Sequence, residues 1–292
     1  MRNTTGKKML FSVGLNLLIT IAEIVGGIIS NSLALLSDSL HNLNDTFAIF
    51  LGYFANKISK RPKDFNRTYG YKRFEIIAAF LNTVFLMVVA IYLVIEGIKK
   101  FYKPEIIDGK IMLIISIIGL IGNLITALLL FKEAKENLNV KAVFVHIASD
   151  TFSSVLIIVG AIFIYRYKLY FLDPLFTLLI SGYIGFESYH LLKETVNILI
   201  QGVPKGINLE DIKKEIEKLP FVADVHHIHV WTTDGKDNYL ECHVSLKDCE
   251  YDLDTFLEKI NETLVEKFNI HHSTIQLEKN ICLGKKEKDF VF

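Results

Sequence analysis

Six apolar blocks of about 20 residues or more run roughly over 9–29, 31–56, 74–98, 111–131, 142–165 and 171–200. A helix needs about 20 residues to cross a hydrocarbon layer about 30 Å thick, so blocks of this length predict membrane-spanning helices. With 51% of its 292 residues hydrophobic and only 22% charged, the chain is too apolar for an ordinary soluble enzyme of this size. The expected fold class is a polytopic α-helical membrane protein with six transmembrane helices and a C-terminal α+β domain. The division falls at 1–202 and 203–292. The first part carries 20 basic and 14 acidic residues and the second 12 and 18, so charges of +6 and −6 cancel to the formal zero. An acidic soluble part argues against a nucleic-acid partner.

The opening "MRNTTGKKMLFSVGLNLLITIAEIV" begins like a signal peptide. Its apolar run is long, however, includes Asn16 and Glu23, and shows no small-residue cleavage pattern, so it is read as a retained first helix. Short loops on one side hold thirteen lysines and arginines, seven of them in "KISKRPKDFNRTYGYKR", against six on the other. Basic loops stay cytoplasmic. Both termini and residues 203–292 are therefore expected inside, in a multi-pass protein of the plasma or inner membrane. Cys242, Cys249 and Cys282 are too few and too unevenly spaced for a disulfide framework, and they suit a reducing compartment.

The tail alternates helical and strand patterns in the order αββαβ. "NLEDIKKEIEKL" repeats Ile212, Ile216 and Leu219 at helical spacing behind a capping Asn208. Strands are expected in "DVHHIHVWTT", "NYLECHVSL" and "STIQLEK", and a helix in "LDTFLEKINETLVEKF", giving a small sheet with helices on one face. Period-two alternation turns Ile228, Val230, Leu240, Cys242, Val244, Ile275 and Leu277 toward the helices. The opposite face collects His227, His229, His243, Gln276 and Glu278. That set could hold a metal, and equally could be solvated surface histidines; His271 and His272 fall in the turn before the last strand.

Ionisable residues inside the apolar blocks are the sharper signal. A charged aspartate at the centre of a transmembrane helix costs roughly 2.5 to 3.5 kcal/mol, so it normally faces a partner or a pathway. In "LLSDSLHNLND", Asp38, His41 and Asp45 fall within a wedge of about 60° on one helix face. The fifth block repeats the device: "HIASD" puts His146 and Asp150 at the same i, i+4 spacing, beside Ser149 and Ser153. If the two helices meet, two imidazoles and two carboxylates make a four-coordinate set suited to Zn²⁺. Asp38 has no counterpart in "HIASD" and could serve as a relay or entry carboxylate. Asn16, Thr20, Glu23, Asn82 and Asn123 read as interhelical hydrogen-bonding groups.

"SNSLALLSDSLHNLND", "KRPKDFNRTYGYKRFEIIAAFLN", "HIASD", "VHHIHVW", "ECHV" and "STIQLE", in this order, resemble the cation diffusion facilitator family of zinc transporters, over nearly the whole chain. The resemblance implies six transmembrane helices, a cytoplasmic ferredoxin-like domain, a homodimer, and export of divalent metal in exchange for protons. It places the transport site on His41, Asp45, His146 and Asp150, with the histidine of the second helix associated with zinc preference. It places a cytoplasmic zinc site on His229, His243 and Glu278, with Gln276 standing where some members have histidine. "KEAKENLNVK" lacks the histidine-rich insertion of many eukaryotic members.

Metal ligands must be deprotonated, so Zn²⁺ and protons compete for such a site and exchange follows. Zn²⁺ is then both cargo and a possible regulatory ligand of the tail. A passive metal channel, or an exporter of Cd²⁺, Co²⁺, Ni²⁺ or Fe²⁺, would use similar residues. An intramembrane metalloprotease would need a string such as His-Glu-x-x-His, and none occurs, so an enzyme is not expected.

Overall fold

The computed structural model describes residues 2–134, 138–247 and 253–278. Met1–Phe54 with Ala78–Leu192 forms one compact unit, and Ala55–Ile77 with Lys193–Phe292 forms a second.

Six long helices lie over the six apolar blocks: α1 (Arg2–Ser30), α2 (Leu33–Ser59), α3 (Arg73–Tyr102), α4 (Gly109–Ala134), α5 (Leu138–Tyr167) and α6 (Leu172–Leu199). Among the described residues, α3, Gly109–Leu129 of α4 and Asp150–Tyr167 of α5 are long and apolar enough to cross a membrane by length and composition alone. The middle of α2 is weakened on that measure by Asp38, His41, Asn42, Asn44 and Asp45. In the first unit α4 packs against α1 and α5. Gly119 permits the close approach to α1, because a Cβ there would come within 2.2 Å of Glu23 Oε1. The outward stripe of α4, Ile114, Ile118, Ile121, Ile125 and Leu128, is apolar and exposed at helical spacing, as a lipid-facing surface requires.

The start of α2 is held from a distant part of the chain. Ser32 Oγ accepts from Leu35 N (3.1 Å), capping the helix. The fully buried Asp173 of α6 accepts from Ser32 Oγ, Leu33 N (2.8 Å) and Ala34 N (3.2 Å). A carboxylate here satisfies amides that a helix N-terminus leaves without intrahelical partners, and it favours the positive end of the helix dipole. Ala34 and Leu35 then pack with Met112, Ile157, Ala161 and Ile164, setting α2 beside α5.

The second unit contains α7 (Leu209–Glu217), β1 (Val222–Thr232), β2 (Asn238–Leu246), α8 (Leu253–Phe268) and β3 (Ile270–Glu278), in the expected αββαβ order. The sheet order is β1-β2-β3; β1 and β2 are antiparallel, and α8 carries the chain back so that β3 runs parallel to β2. Asn208 caps α7 by accepting from Glu210 N at 3.0 Å. Ile212, Ile216, Phe256, Ile260 and Leu264 of the helices pack on Val225, Ile228, Val230, Leu240, Cys242 and Val244 of the sheet. Fully burying each such aliphatic side chain contributes about 1.5 to 3 kcal/mol. β3 begins three residues earlier than its sequence pattern suggests, so His271 and His272 lie on the strand rather than in a turn. Cys249 and Cys282 lie outside the described residues.

Candidate metal centres

In the first unit, α2 presents Asp38, His41 and Asp45 on one face. The i, i+4 spacing brings His41 Nε2 to 3.4 Å from Asp45 Oδ2, both side chains being partly exposed. Two ligand atoms at that separation can converge on one cation without a backbone change. Asp38, one turn earlier, is 2% exposed, and Asp150 on α5 is 4% exposed. A polar link between the helices is Ser153, whose Oγ donates to Asp38 Oδ1 at 2.6 Å and also lies 2.9 Å from the Asp150 carbonyl oxygen, so its single proton can be shared between them. His146 belongs to α5, but its side chain and that of Ser149 lie outside the described residues.

Further polar groups extend this face. Glu23 of α1 is 1% exposed and accepts from Asn42 Nδ2 at 3.4 Å, so the first helix joins the second through a carboxylate, as an interhelical hydrogen-bonding role predicts. Asp38 Oδ2, Asn42 Oδ1 and both polar atoms of Asn44 are buried with no hydrogen-bond partner among the described residues. Polar atoms left so in an apolar bundle cost free energy unless something polar reaches them.

A second cluster occurs on the tail sheet. His226, His243 and Glu278 each offer one ligand atom, all within 4.8 Å of one another. His243 Nδ1 lies 3.0 Å from Glu278 Oε1, and His226 Nε2 lies 3.5 Å from Glu278 Oε2. The other nitrogen of His226, Nδ1, faces Asp224 Oδ2 at 3.0 Å. A carboxylate on one imidazole nitrogen fixes the tautomer and leaves the other nitrogen for a metal. Partial burial pushes the Asp224 carboxyl up, but the hydrogen bonds and charges of Lys213 and His226 outweigh it and hold Asp224 below the usual carboxylate range.

Two expected residues, His243 and Glu278, are thus together, and the third is His226 rather than His229. His229 is exposed and paired with Glu241, while His226 is paired with His243. The reason is a bulge between His226 and His229, where His227 adopts φ +51°. An extra residue in one strand reverses the alternation beyond it, so the period-two reading of the His run is displaced by one. The signal was in the sequence: Val225, Ile228 and Val230 are spaced three and then two apart, which one uninterrupted strand face cannot accommodate. Gln276 sits beside the cluster and donates from Nε2 to Glu278 Oε1 at 3.0 Å.

Residues 9–200 match the family model described as cation efflux transmembrane domain, and residues 204–280 match that described as cation efflux protein, cytoplasmic domain. The zinc transporter ZitB of Escherichia coli is 34% identical over 284 residues, covering 97% of this chain and 90% of that protein. The cadmium, cobalt and zinc/H(+)-K(+) antiporter of Bacillus subtilis is 34% identical over 280 residues (92% and 90%). The metal cation efflux system protein CzcD of Cupriavidus metallidurans is 38% identical over 263 residues (90% and 83%).

Proposed function

Since the chain belongs to the cation efflux family, we propose that it exports divalent metal, foremost Zn²⁺, from the cytosol in exchange for protons. All six long helices span the membrane in this reading, with both termini on the cytoplasmic side of a plasma or inner membrane. Residues 1–202 form the transport domain, and 203–292 a cytoplasmic ferredoxin-like domain through which two copies associate. The names of the relatives, a zinc transporter and a proton-linked metal antiporter, support this assignment.

The observation that carries it is the polar face of α2, with His41 and Asp45 poised at 3.4 Å and Asp38 tied through Ser153 to the helix bearing Asp150. His41, Asp45, His146 and Asp150 are the proposed ligands of the transported ion. Two imidazoles favour Zn²⁺ over the harder Mg²⁺ and Ca²⁺, which prefer all-oxygen shells. Zn²⁺ binding releases protons from these residues, and their return on the outer side releases the metal. In proteoliposomes, Asp45→Ala should abolish zinc uptake while leaving the chain folded; uptake at the native rate would refute the assignment.

The His226, His243 and Glu278 cluster favours a second role for the tail, as a metal sensor. Metal bound there can bias transport only if one arrangement of the paired tails binds it more tightly than another. A zinc titration of the full chain should then shift the spectroscopic distance between paired tails in the native protein and not in His243→Ala.

A further inference from the structure

We infer that residues 60–72, between α2 and α3, together with Arg73 at the start of α3, form a binding surface for the phosphate headgroups of anionic lipid. Seven lysines and arginines occupy residues 57–73, and Asp64 and Glu75 offset only part of that charge. Both acids keep their charge, with Arg67 acting on Asp64, and leave the segment net positive, while their hydrogen bonds come from neutral donors. Asp64 Oδ1 accepts from Asn66 N (2.9 Å) and Arg67 N (2.8 Å), and Oδ2 accepts from the Tyr71 hydroxyl. Glu75 accepts from Asn56 Nδ2 and Ser59 Oγ. Among the described residues, Lys72 alone of these cations is paired, with Asp234 and Asp237. Lys60, Arg61, Lys63, Arg67 and Arg73 make no ion pair among the described residues, and the first four are exposed.

The loop is shaped, not merely charged. The Asp64 turn and the positive φ of Gly70 (+82°) fold it back on itself, and the Arg67 guanidinium rests 5.1 Å from the centre of the Tyr71 ring. Phe65 stands fully exposed at the tip, with Tyr69 exposed beside it. Arg67, Arg73 and Asn66 on one side, with Gln201, Trp231 and Thr233 of the tail on the other, line an open cavity of about 320 Å³, a volume that accepts a phosphate diester.

The membrane fixes the partner. Arg73 is the first residue of α3, which is long and apolar enough to cross a bilayer, so the cations before it lie at headgroup depth. Guanidinium groups bind phosphate oxygens in pairs, and interfacial aromatic rings settle at the same level. A run of cations beside a membrane helix is attracted to anionic lipid over about a Debye length. This placement needs only that α3 spans a membrane, not which ion the helices carry.

The test is lipid retention by the full chain in neutral detergent, with phosphatidylglycerol and phosphatidylcholine as probes. The native chain should prefer phosphatidylglycerol by about tenfold at roughly 0.15 M salt, losing the preference near 1 M. Arg67→Gln with Arg73→Gln should remove it at an unchanged melting temperature, and Arg67→Lys with Arg73→Lys should keep part of it. Equal retention of the two lipids, or full preference in the double glutamine variant, would overturn the proposal. So would complete displacement by inorganic phosphate without any effect of phosphatidylglycerol vesicles, which would mark a free-phosphate site. Competition by a polyglutamate peptide but not by those vesicles would assign the surface to an acidic protein instead.

Discussion

Ser153 on α5 donates a 2.6 Å hydrogen bond to Asp38 on α2, joining two residues 115 positions apart inside the helical bundle. Asp38 is buried and Ser153 is its side-chain hydrogen-bond donor among the described residues, so Ser153→Ala strips the donor from an already enclosed carboxyl group. That should destabilise the full chain by about 1 to 3 kcal/mol. Adding Asp38→Leu removes the stranded acceptor and should recover most of the melting temperature in detergent. Zinc uptake should nevertheless be lost in the double variant, because Asp38→Leu breaks the polar face of α2. An unchanged melting temperature for Ser153→Ala would show that the bond carries no weight.

On the tail sheet the bulge predicts which histidine matters. In a chain carrying Asp45→Ala and Asp150→Ala to silence the membrane residues, His226→Ala should weaken zinc binding by at least about tenfold. Asp224→Asn, which loosens the imidazole, should cost about tenfold as well. His229→Ala should leave the isotherm within experimental error. Equal losses for His226 and His229 would mean that the register observed on β1 is not the one that binds metal.

His227 occupies a left-handed conformation that costs an L-residue roughly 1 kcal/mol, and glycine relieves the cost. His227→Gly should therefore leave metal affinity unchanged and raise stability by up to about 1 kcal/mol, read as a higher melting temperature. A lost zinc site in this variant would make His227 a ligand and not a bulge residue.

Burial pushes the Cys242 thiol up to about 12. Its folded value lies above its unfolded one, so this contribution to stability is complete below about pH 9 and is lost as pH rises toward 12. With Cys249→Ser and Cys282→Ser, the remaining thiol should resist maleimide in the folded chain at pH near 8 and react fully once denatured. Prompt labelling of the native chain would contradict the packing of β2 against α7 and α8.

What sequence could reveal divides along physical lines. Apolar blocks are local, and all six appear as helices; the caps and apolar faces of the tail are local too, down to Asn208 and Ile212. Helical spacing likewise put Asp38, His41 and Asp45 on one face, because 3.6 residues per turn is a property of one helix. It could not give the rotation of α5 against α2, on which the bond from Ser153 to Asp38 depends. Nor could it reveal Asp173 at the start of α2, a contact that closes a loop of some 140 residues. The bulge at His227 lay between these cases. Its trace in the apolar spacing is local, but strict alternation carried through the bulge turns His229, and not His226, toward the cluster.

The most direct test of the account is zinc movement against its own gradient in sealed proteoliposomes, driven only by an imposed pH difference. Proton-coupled exchange predicts zinc accumulation on the acidic side above its concentration outside, abolished by a protonophore and by Asp45→Ala. Zinc that only ever equilibrates, at a rate indifferent to the pH difference, would contradict exchange and leave a passive pore.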